Sequence, residues 1–480
     1  MSKPGTAALL SAVIPGLGQA RLGATRRGAL IALPFVGVIV VAAVAAILDP
    51  KGALHTILTA GVLVMVLVFV IVLAVYHLAA IMDAFRLGLR LRGAKDPRLS
   101  KGRALGSPLL LASLAGVIAF YGIIEFVGVR AYQASQAIFV DPGTGFQIPV
   151  ASFAPRPSPT PGVTGPISEP PTPTATPVPG PPWAADGRLN LLLIGSDAGP
   201  GRWLARTDTM IVLSVDVASG RAALFGIPRN IINVPLPPES ADAFRNGRFP
   251  QFLNALYVYA TQHPKEFPGG DARGFRAVTG AVQELVGVPL DGAVVVNLNG
   301  FVDLVDAIGG LWIDPPYSVF DKHYPLPNGL GYIQISIPAG CHKLSGVRAL
   351  EYARSRHMDS DYGRMQRQQR VLVALARQLD PIALLSRVPE LLDVAQENLL
   401  ITVPMDQIAD MAVLAARVDT GDIQTIQFSP PKYPEFLNTK SIQRIRDRVA
   451  TVFDAPAAAP SATPATPATP GTTSKPCPRP

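Results

Sequence analysis

Leu189-Asn190-Leu191-Leu192-Leu193-Ile194-Gly195-Ser196-Asp197 opens the folded outer part of this chain. Its first six residues read as a short buried strand, which stops at a glycine turn and presents the carboxylate of Asp197. A second strand, Thr209–Val215, is entered through Arg206-Thr207-Asp208, and a third, Arg221–Ile227, ends at Pro228-Arg229-Asn230. Three consecutive strands therefore begin or end at a carboxylate or a guanidinium. A lone aspartate at a turn is usually a turn former. Two at strand ends with an arginine at a third point instead to a site, because rigid strands fix side chains well.

Working outward, Phe275–Val286 has helical spacing, Val294-Val295-Val296 reads as a strand, and Gly300–Ile308 as a helix stopped by Gly309-Gly310. Trp312-Ile313-Asp314 is a further short strand before Pro315-Pro316. Leu344–Ala353 reads as a helix that delivers Arg354 and Arg356 at its end, and Gly363–Leu379 as a longer one. The alternation predicts an α/β domain, a layered α-β-α arrangement around a central sheet. Strand order is not legible at this level.

The Gly363–Leu379 helix and the residues before it are rich in arginine. From Lys343 to Arg377 there are eight basic and three acidic side chains. Arg364 and Gln368 lie four apart and share a face, while Val371, Leu372 and Leu375 supply the apolar one. A solvated helix face usually balances its charges. Here the surrounding domain, residues 183–453, has 26 basic and 27 acidic groups, so the local excess indicates an anionic ligand. Nucleic acid is disfavoured, because it calls for a basic domain, whereas the excess of 14 basic over 6 acidic residues sits in 1–182.

That N-terminal part contains three apolar runs without a charged residue, Gly28–Leu48, Ile57–Met82 and Ala104–Ile124. A helix of 21 residues is about 31 Å long, close to the hydrocarbon thickness of a bilayer. Lys3, Arg21, Arg26 and Arg27 precede the first run, and Arg86, Arg90, Arg92, Lys95, Arg98, Lys101 and Arg103 lie around the second connection. The distribution of positive charge predicts a multi-pass membrane protein with a cytoplasmic N-terminus and everything after the third span outside. His77 is expected near the cytoplasmic end of its span, in a helix-end role. Pro15-Gly16-Leu17-Gly18-Gln19 resembles a turn found before membrane hairpins in small bacterial membrane proteins; a flexible entry to the first span is the alternative.

Ala154–Pro182 has 12 prolines in 29 residues and reads as an extended linker. The expected organisation is a cytoplasmic segment over 1–27, a three-helix membrane region over 28–130, a Pro-rich linker over 131–187, a folded domain over 188–453, and a disordered Ala/Thr/Pro tail over 454–480. The two cysteines, Cys341 and Cys477, are too few for a disulfide framework, and their pairing stays open.

The ordered set Leu192–Asp197, Arg206–Met210, Ile227-Pro228-Arg229, Val305–Gly310, Ala349–Arg356 and Asp361–Gln369 resembles the LytR-CpsA-Psr family of bacterial cell-wall enzymes. The resemblance covers roughly residues 188–453. It implies a phosphotransferase that moves a glycopolymer from a polyprenyl-pyrophosphate carrier onto peptidoglycan or another envelope polymer, with the lipid in an apolar tunnel. It also implies a magnesium ion held by Asp197 and Asp208. The implied pyrophosphate-binding set is Arg229, Arg354, Arg356, Arg364 and Gln368, with Arg206 and Arg367 as further members. Phosphoryl transfer needs positioning and charge neutralisation, which such a set provides. Asp208 and Asp361 are both candidates for the base that takes the acceptor's proton, and the catalytic group is expected among Asp208, Arg229, Arg354 and Asp361.

The chain departs from the family pattern. Asn230 stands where an aspartate usually follows Ile-Pro-Arg, which is expected to cost Arg229 a charge partner. Ala198-Gly199 follows Asp197 where an arginine is often near, Thr207 replaces a serine, and there are three spans where most members have one. A polyprenyl-pyrophosphate hydrolase and a non-catalytic lipid-pyrophosphate binding protein are the alternative readings.

Overall fold

A computed structural model describes residues 4–48, 60–93, 107–139, 181–196, 207–325, 331–356, 359–378, 398–454 and 477. Asp197 and Arg206, residues 140–180 of the Pro-rich linker, and the tail apart from Asp454 and Cys477 lie outside the described residues. Two compact units form, Met1–Gln136 with Met405–Val413, and Ala137–Pro404 with Leu414–Pro480.

The first unit contains α1 (Pro4–Val13), α2 (Leu17–Arg21), α3 (Thr25–Leu48), α4 (Ala60–Gly93) and α5 (Pro108–Ile138). The last three are long and apolar enough to cross a membrane. Residues 15–19 are an ordered turn and the start of α2, not a flexible entry. Gln19 is fully buried and donates to the Ala80 carbonyl at 3.0 Å and to Asp83 at 3.1 Å. The second apolar run ends at Met82 but the helix that carries it does not. That helix runs on to Gly93, which puts His77 in mid-helix, buried, with Nε2 3.0 Å from the Ser11 carbonyl oxygen. The helix-end role expected for His77 is therefore not what the fold gives it. The apolar run stops near Met82, but backbone hydrogen bonding continues through the good helix formers that follow.

The second unit is built on a six-stranded sheet of order β11-β6-β1-β2-β3-β12. Its strands are β1 (Arg188–Ser196), β2 (Thr207–Asp216), β3 (Ala222–Gly226), β6 (Gly292–Asn297), β11 (Leu399–Ile401) and β12 (Ile423–Gln427). β2 pairs antiparallel with both β1 and β3, while β1–β6 and β3–β12 are parallel. The three strands that carry charged ends in the sequence are thus neighbours at the centre of the sheet. Three two-stranded ribbons complete the set: β4 (Ile232–Pro235) with β5 (Arg248–Phe252), β7 (Leu311–Ile313) with β10 (His342–Leu344), and β8 (Val319–Pro325) with β9 (Tyr332–Ile337).

Alternation along the strands assigns the two faces of the sheet. Leu192, Ile194, Met210, Val212, Ala223 and Phe225 join one core with α6 (Arg273–Val286) and α10 (Thr439–Ala450). The opposite face meets α7 (Leu298–Ala307), α8 (Gly346–Arg354) and α9 (Asp361–Gln378). This is the layered α-β-α arrangement that the element pattern predicts. Asn297 caps α7, and Ser345 caps α8, each accepting a backbone N–H of the first turn. Gly309 and Gly310 stop α7 in left-handed conformations, φ 83° and 96°, that a side chain would resist. Cys341 and Cys477 are joined by a disulfide with a Cα–Cα distance of 5.3 Å, which settles the pairing left open by the sequence.

Candidate active site

Asp208 lies near the start of β2, Arg229 in the turn that leaves β3, and Asp361 at the first position of α9. The fold brings them together. Arg229 Nη1 donates to Asp208 Oδ1 at 2.7 Å, and its Nε donates to Asp361 Oδ2 at 2.8 Å. Arg364, one turn along α9, extends the cluster, with Nη2 3.5 Å from Asp361 Oδ2 and 3.4 Å from the Asp208 carbonyl oxygen. An aspartate at the first turn of α9 also sits favourably against the helix dipole.

The electrostatics follow from this geometry. Burial disfavours the Asp208 charge, but Arg229, assisted by Arg364 and an Asn254 hydrogen bond, outweighs it and holds the carboxyl below its ordinary range. Burial likewise works against Arg229, and its bonds to Asp361 and Asp208 reverse the effect, so its guanidinium is held more firmly charged. Arg364 goes the other way. Burial and then repulsion from Arg229 lower its pKa, and Asp361 and Asp208 only partly compensate. Only 5 % of Arg364 is exposed, and its Nε has no partner among the described residues. Thr207, fully buried beside Asp208, likewise has no partner for Oγ1 among them. Buried polar groups are nearly always satisfied, so the site is short of an acceptor for a cation.

Beside this cluster the sheet and the three helices enclose a cavity of about 260 Å³. Leu193, Ile211, Val294 and Val296 wall it from the sheet, and Phe301 and Leu372 from the helices. Its polar lining includes Asp208, Arg354, Arg364 and Gln368. The cavity is thus apolar along its walls and charged where it meets the Asp208–Arg229–Asp361 cluster, the form of a site for an amphiphilic anion.

The remaining residues of the set divide. Arg354 ends α8 and lies 5.9 Å above the Tyr324 ring, on the cavity lining. Arg356 is exposed and acts on the cluster through its charge, as one of the cations that depress Arg364. Arg367 does not join the cluster. It is fully buried, donates through Nε to the Tyr352 carbonyl at 3.0 Å and through Nη2 to the Ser355 carbonyl, and pairs with Asp359, Nη2 to Oδ1 at 3.0 Å. Helical spacing puts it on the side of α9 that faces the end of α8, so it fixes the Arg354–Arg356 turn and does not reach the cavity. Gln369 is similarly occupied, donating to the Leu224 and Ile426 carbonyls at 3.0 Å each.

Asn230 does not deprive Arg229 of charge partners, since Asp208 and Asp361 supply two. Its amide instead donates to Glu435 Oε1 at 3.1 Å. Sequence reasoning missed Asp321, which is 1 % exposed on β8 and accepts from Ser355 Oγ at 3.1 Å and from the Arg356 backbone N–H at 3.2 Å. It holds the turn between Arg354 and Arg356 from a ribbon for which the sequence carries no motif. Asn254, on Asp208, is a second such residue.

Among the described residues no group of three or more Asp, Glu, His or Cys side chains converges on a point. Magnesium does not need one, as it takes one or two carboxylates and completes its shell with water and substrate phosphate. The ionised Asp208 and the orphaned Thr207 hydroxyl beside it are oxygen donors of the hard kind that suits this ion, while Asp197 lies outside the described residues.

Two curated relatives illustrate what the chain is similar to. Biofilm regulatory protein A of Streptococcus mutans serotype c is 27% identical over 221 residues, 44% of this chain and 49% of the relative. The polyisoprenyl-teichoic acid–peptidoglycan teichoic acid transferase TagU of Halalkalibacterium halodurans is 24% identical over 225 residues, 46% of this chain and 64% of the relative. The chain thus spans about half of the first relative's length and less than two thirds of the second's. The crystal structure of B. subtilis TagV aligns with 21% identity and a TM-score of 0.41, covering 56% of this chain and 97% of that one. The family model described as the LytR_cpsA_psr family matches residues 168–451, more than half of the chain, and the chain belongs to that family.

Proposed function

We propose that this protein is a membrane-anchored phosphotransferase that moves a glycopolymer from a polyprenyl-pyrophosphate carrier onto peptidoglycan or a related envelope polymer. The observation that carries the reading is the pairing of an apolar cavity with a cationic, partly unsatisfied mouth. A polyprenyl tail suits the walls, and a pyrophosphate suits Arg354, Arg364 and Gln368. The names of the teichoic acid transferases among its relatives support the same reaction class.

In this reading Arg364 Nε finds its acceptor in a phosphate oxygen, which removes the cost of burying an unsatisfied guanidinium. Arg354, stacked on Tyr324, and Gln368 grip the same group from α8 and α9. Arg229 holds Asp208 and Asp361 side by side through separate N–H groups and keeps Asp208 ionised. Magnesium would be held by Asp208 with Asp197, and when bound it neutralises charge on the pyrophosphate oxygens. The acceptor hydroxyl attacks the glycan-bearing phosphorus, a phosphodiester forms, and the polyprenyl phosphate leaves. Its proton passes to a carboxylate of the mouth, Asp208 or Asp361. The Cys341–Cys477 disulfide suits an oxidising compartment, which supports an extracytoplasmic catalytic unit and a cytoplasmic N-terminus.

The test is incubation of the full chain in detergent with magnesium, a polyprenyl-pyrophosphate glycan and peptidoglycan fragments. Glycan joined to the fragments with release of polyprenyl phosphate is the expected result. Release without joining would make the protein a hydrolase, and tight binding without turnover would make it a lipid-pyrophosphate receptor.

A further inference from the structure

Outside the cavity, two exposed aromatic residues flank one strand residue. Phe252 of β5 pairs with Ile232 of β4 in antiparallel register, and Phe436 bridges the same Ile232 from its other side. The Ile232 N–H donates to the Glu435 carbonyl at 2.8 Å, and the Leu437 N–H to the Ile232 carbonyl at 2.9 Å. Directly paired residues project from the same face, so Phe252, Ile232 and Phe436 form one row. Its ends are open to solvent: Phe252 is 50% exposed and Phe436 62%.

A polar cluster adjoins this row. Glu435 Oε1 accepts from Tyr362 Oη at 2.5 Å and from Asn230 Nδ2 at 3.1 Å, and Asn230 Oδ1 is buried without a partner among the described residues. Burial and then the Glu435 carboxylate raise the Tyr362 pKa, so the phenol stays a donor. Three members adjoin the mouth along the chain. Asn230 follows Arg229, Tyr362 follows Asp361, and Phe252 lies two residues before Asn254, whose backbone N–H donates to the Arg229 carbonyl at 3.0 Å. None of these residues lines the apolar cavity.

We propose that Phe252, Ile232 and Phe436, together with Glu435, Tyr362 and Asn230, form the binding platform for the acceptor saccharide chain. This rests on the transfer reading and names the surface that would present the acceptor hydroxyl. A pyranose offers an apolar C–H face to an aromatic ring and a rim of hydroxyls to a carboxylate and an amide. The row and the adjoining cluster match those two requirements. An apolar protein partner would instead strip water from the exposed Glu435 carboxylate and offer it no donor in return, at a cost.

The experiment measures binding of soluble peptidoglycan glycan strands, and separately of a polyprenyl-pyrophosphate glycan, to the full chain in detergent. Phe436→Ala and Phe252→Ala should each weaken strand binding about tenfold, with the thermal midpoint and donor binding unchanged. Phe436→Tyr, which keeps the ring, should restore it. Where transfer occurs, the acceptor KM should rise in the same variants while the donor KM stays put. Strand binding without any transfer would leave the platform standing and remove the transfer reading. Unchanged strand binding in both alanine variants would overturn the proposal. So would loss of self-association in them with strand binding intact, since the row would then belong to a second copy.

Discussion

Arg229 grips two acidic residues at once, Asp208 through Nη1 at 2.7 Å and Asp361 through Nε at 2.8 Å, although they lie 21 and 132 positions away. A planar fork of fixed N–H directions makes such a double grip possible, and a lysine ammonium does not reproduce it. The two side chains are thereby fixed on either edge of one guanidinium, and Asp208 is kept ionised.

Replacing Arg229 tests this directly. Arg229→Ala and Arg229→Lys should both lower kcat about 10²- to 10³-fold, the scale for removing one charge-stabilising group from a site. The far-ultraviolet circular dichroism spectrum should be retained, because the pair lies at the mouth and not in either core. Wild-type turnover in the lysine variant would show that only charge, and not the fork, is required.

Arg364 should behave in the opposite sense for stability. It is buried with an orphaned Nε, and its charge is disfavoured by burial and by Arg229. Arg364→Met keeps the volume and removes that cost, so the ligand-free thermal midpoint should stay or rise. Affinity for a polyprenyl-pyrophosphate glycan should fall about 10- to 100-fold, the loss of one or two charge-assisted hydrogen bonds. A lower midpoint with unchanged affinity would make Arg364 a structural residue.

The pH dependence of stability should show Asp291. Burial raises its pKa to about 6, with the hydrogen bond from the Asn190 N–H opposing and Asp186 adding. For an acid raised above its unfolded value, the folded state holds the proton more tightly. Stability is therefore fully present below the ordinary aspartate range and is lost as pH climbs through about 6. Asp291→Asn keeps an acceptor for the Asn190 N–H, so it should raise the denaturation midpoint at pH ~7 and not at pH ~4. Equal effects at both would place the cause elsewhere.

The disulfide ties Cys477 to Cys341, the residue before β10, across a separation of 136 residues. Cys341→Ser with Cys477→Ser should cost about 2–4 kcal/mol by denaturant unfolding. Dithiothreitol should produce the same shift in the wild type and none in the variant. Turnover should persist, since neither cysteine lines the cavity. Failure of the reductant to shift the wild-type transition would mean the bridge contributes nothing.

The sequence by itself determined what local patterning controls. Length and hydropathy set the three long apolar helices, and short apolar runs bounded by turn or charged residues set β1 and β2. The motif residues around Asp208, Arg229 and Arg354 are legible because their spacing along the chain carries the family's signature. Tertiary structure decided everything that depends on distant partners. The order β11-β6-β1-β2-β3-β12 joins β1 to β6 and β3 to β12 across long stretches of chain, Leu191 facing Gly292 and Ala222 facing Ile423, and no local preference encodes it. Arg364 and Arg367 look alike in sequence, yet one lines a cavity and the other is sealed against Tyr352, Ser355 and Asp359. A helix face is assigned by what packs on it, so three residues of spacing send two identical side chains to different environments. Asp321 shows the same limit. A carboxylate between Phe320 and Lys322 carries no signal until the ribbon folds it under the Arg354–Arg356 turn, where burial and hydrogen bonding give it a role.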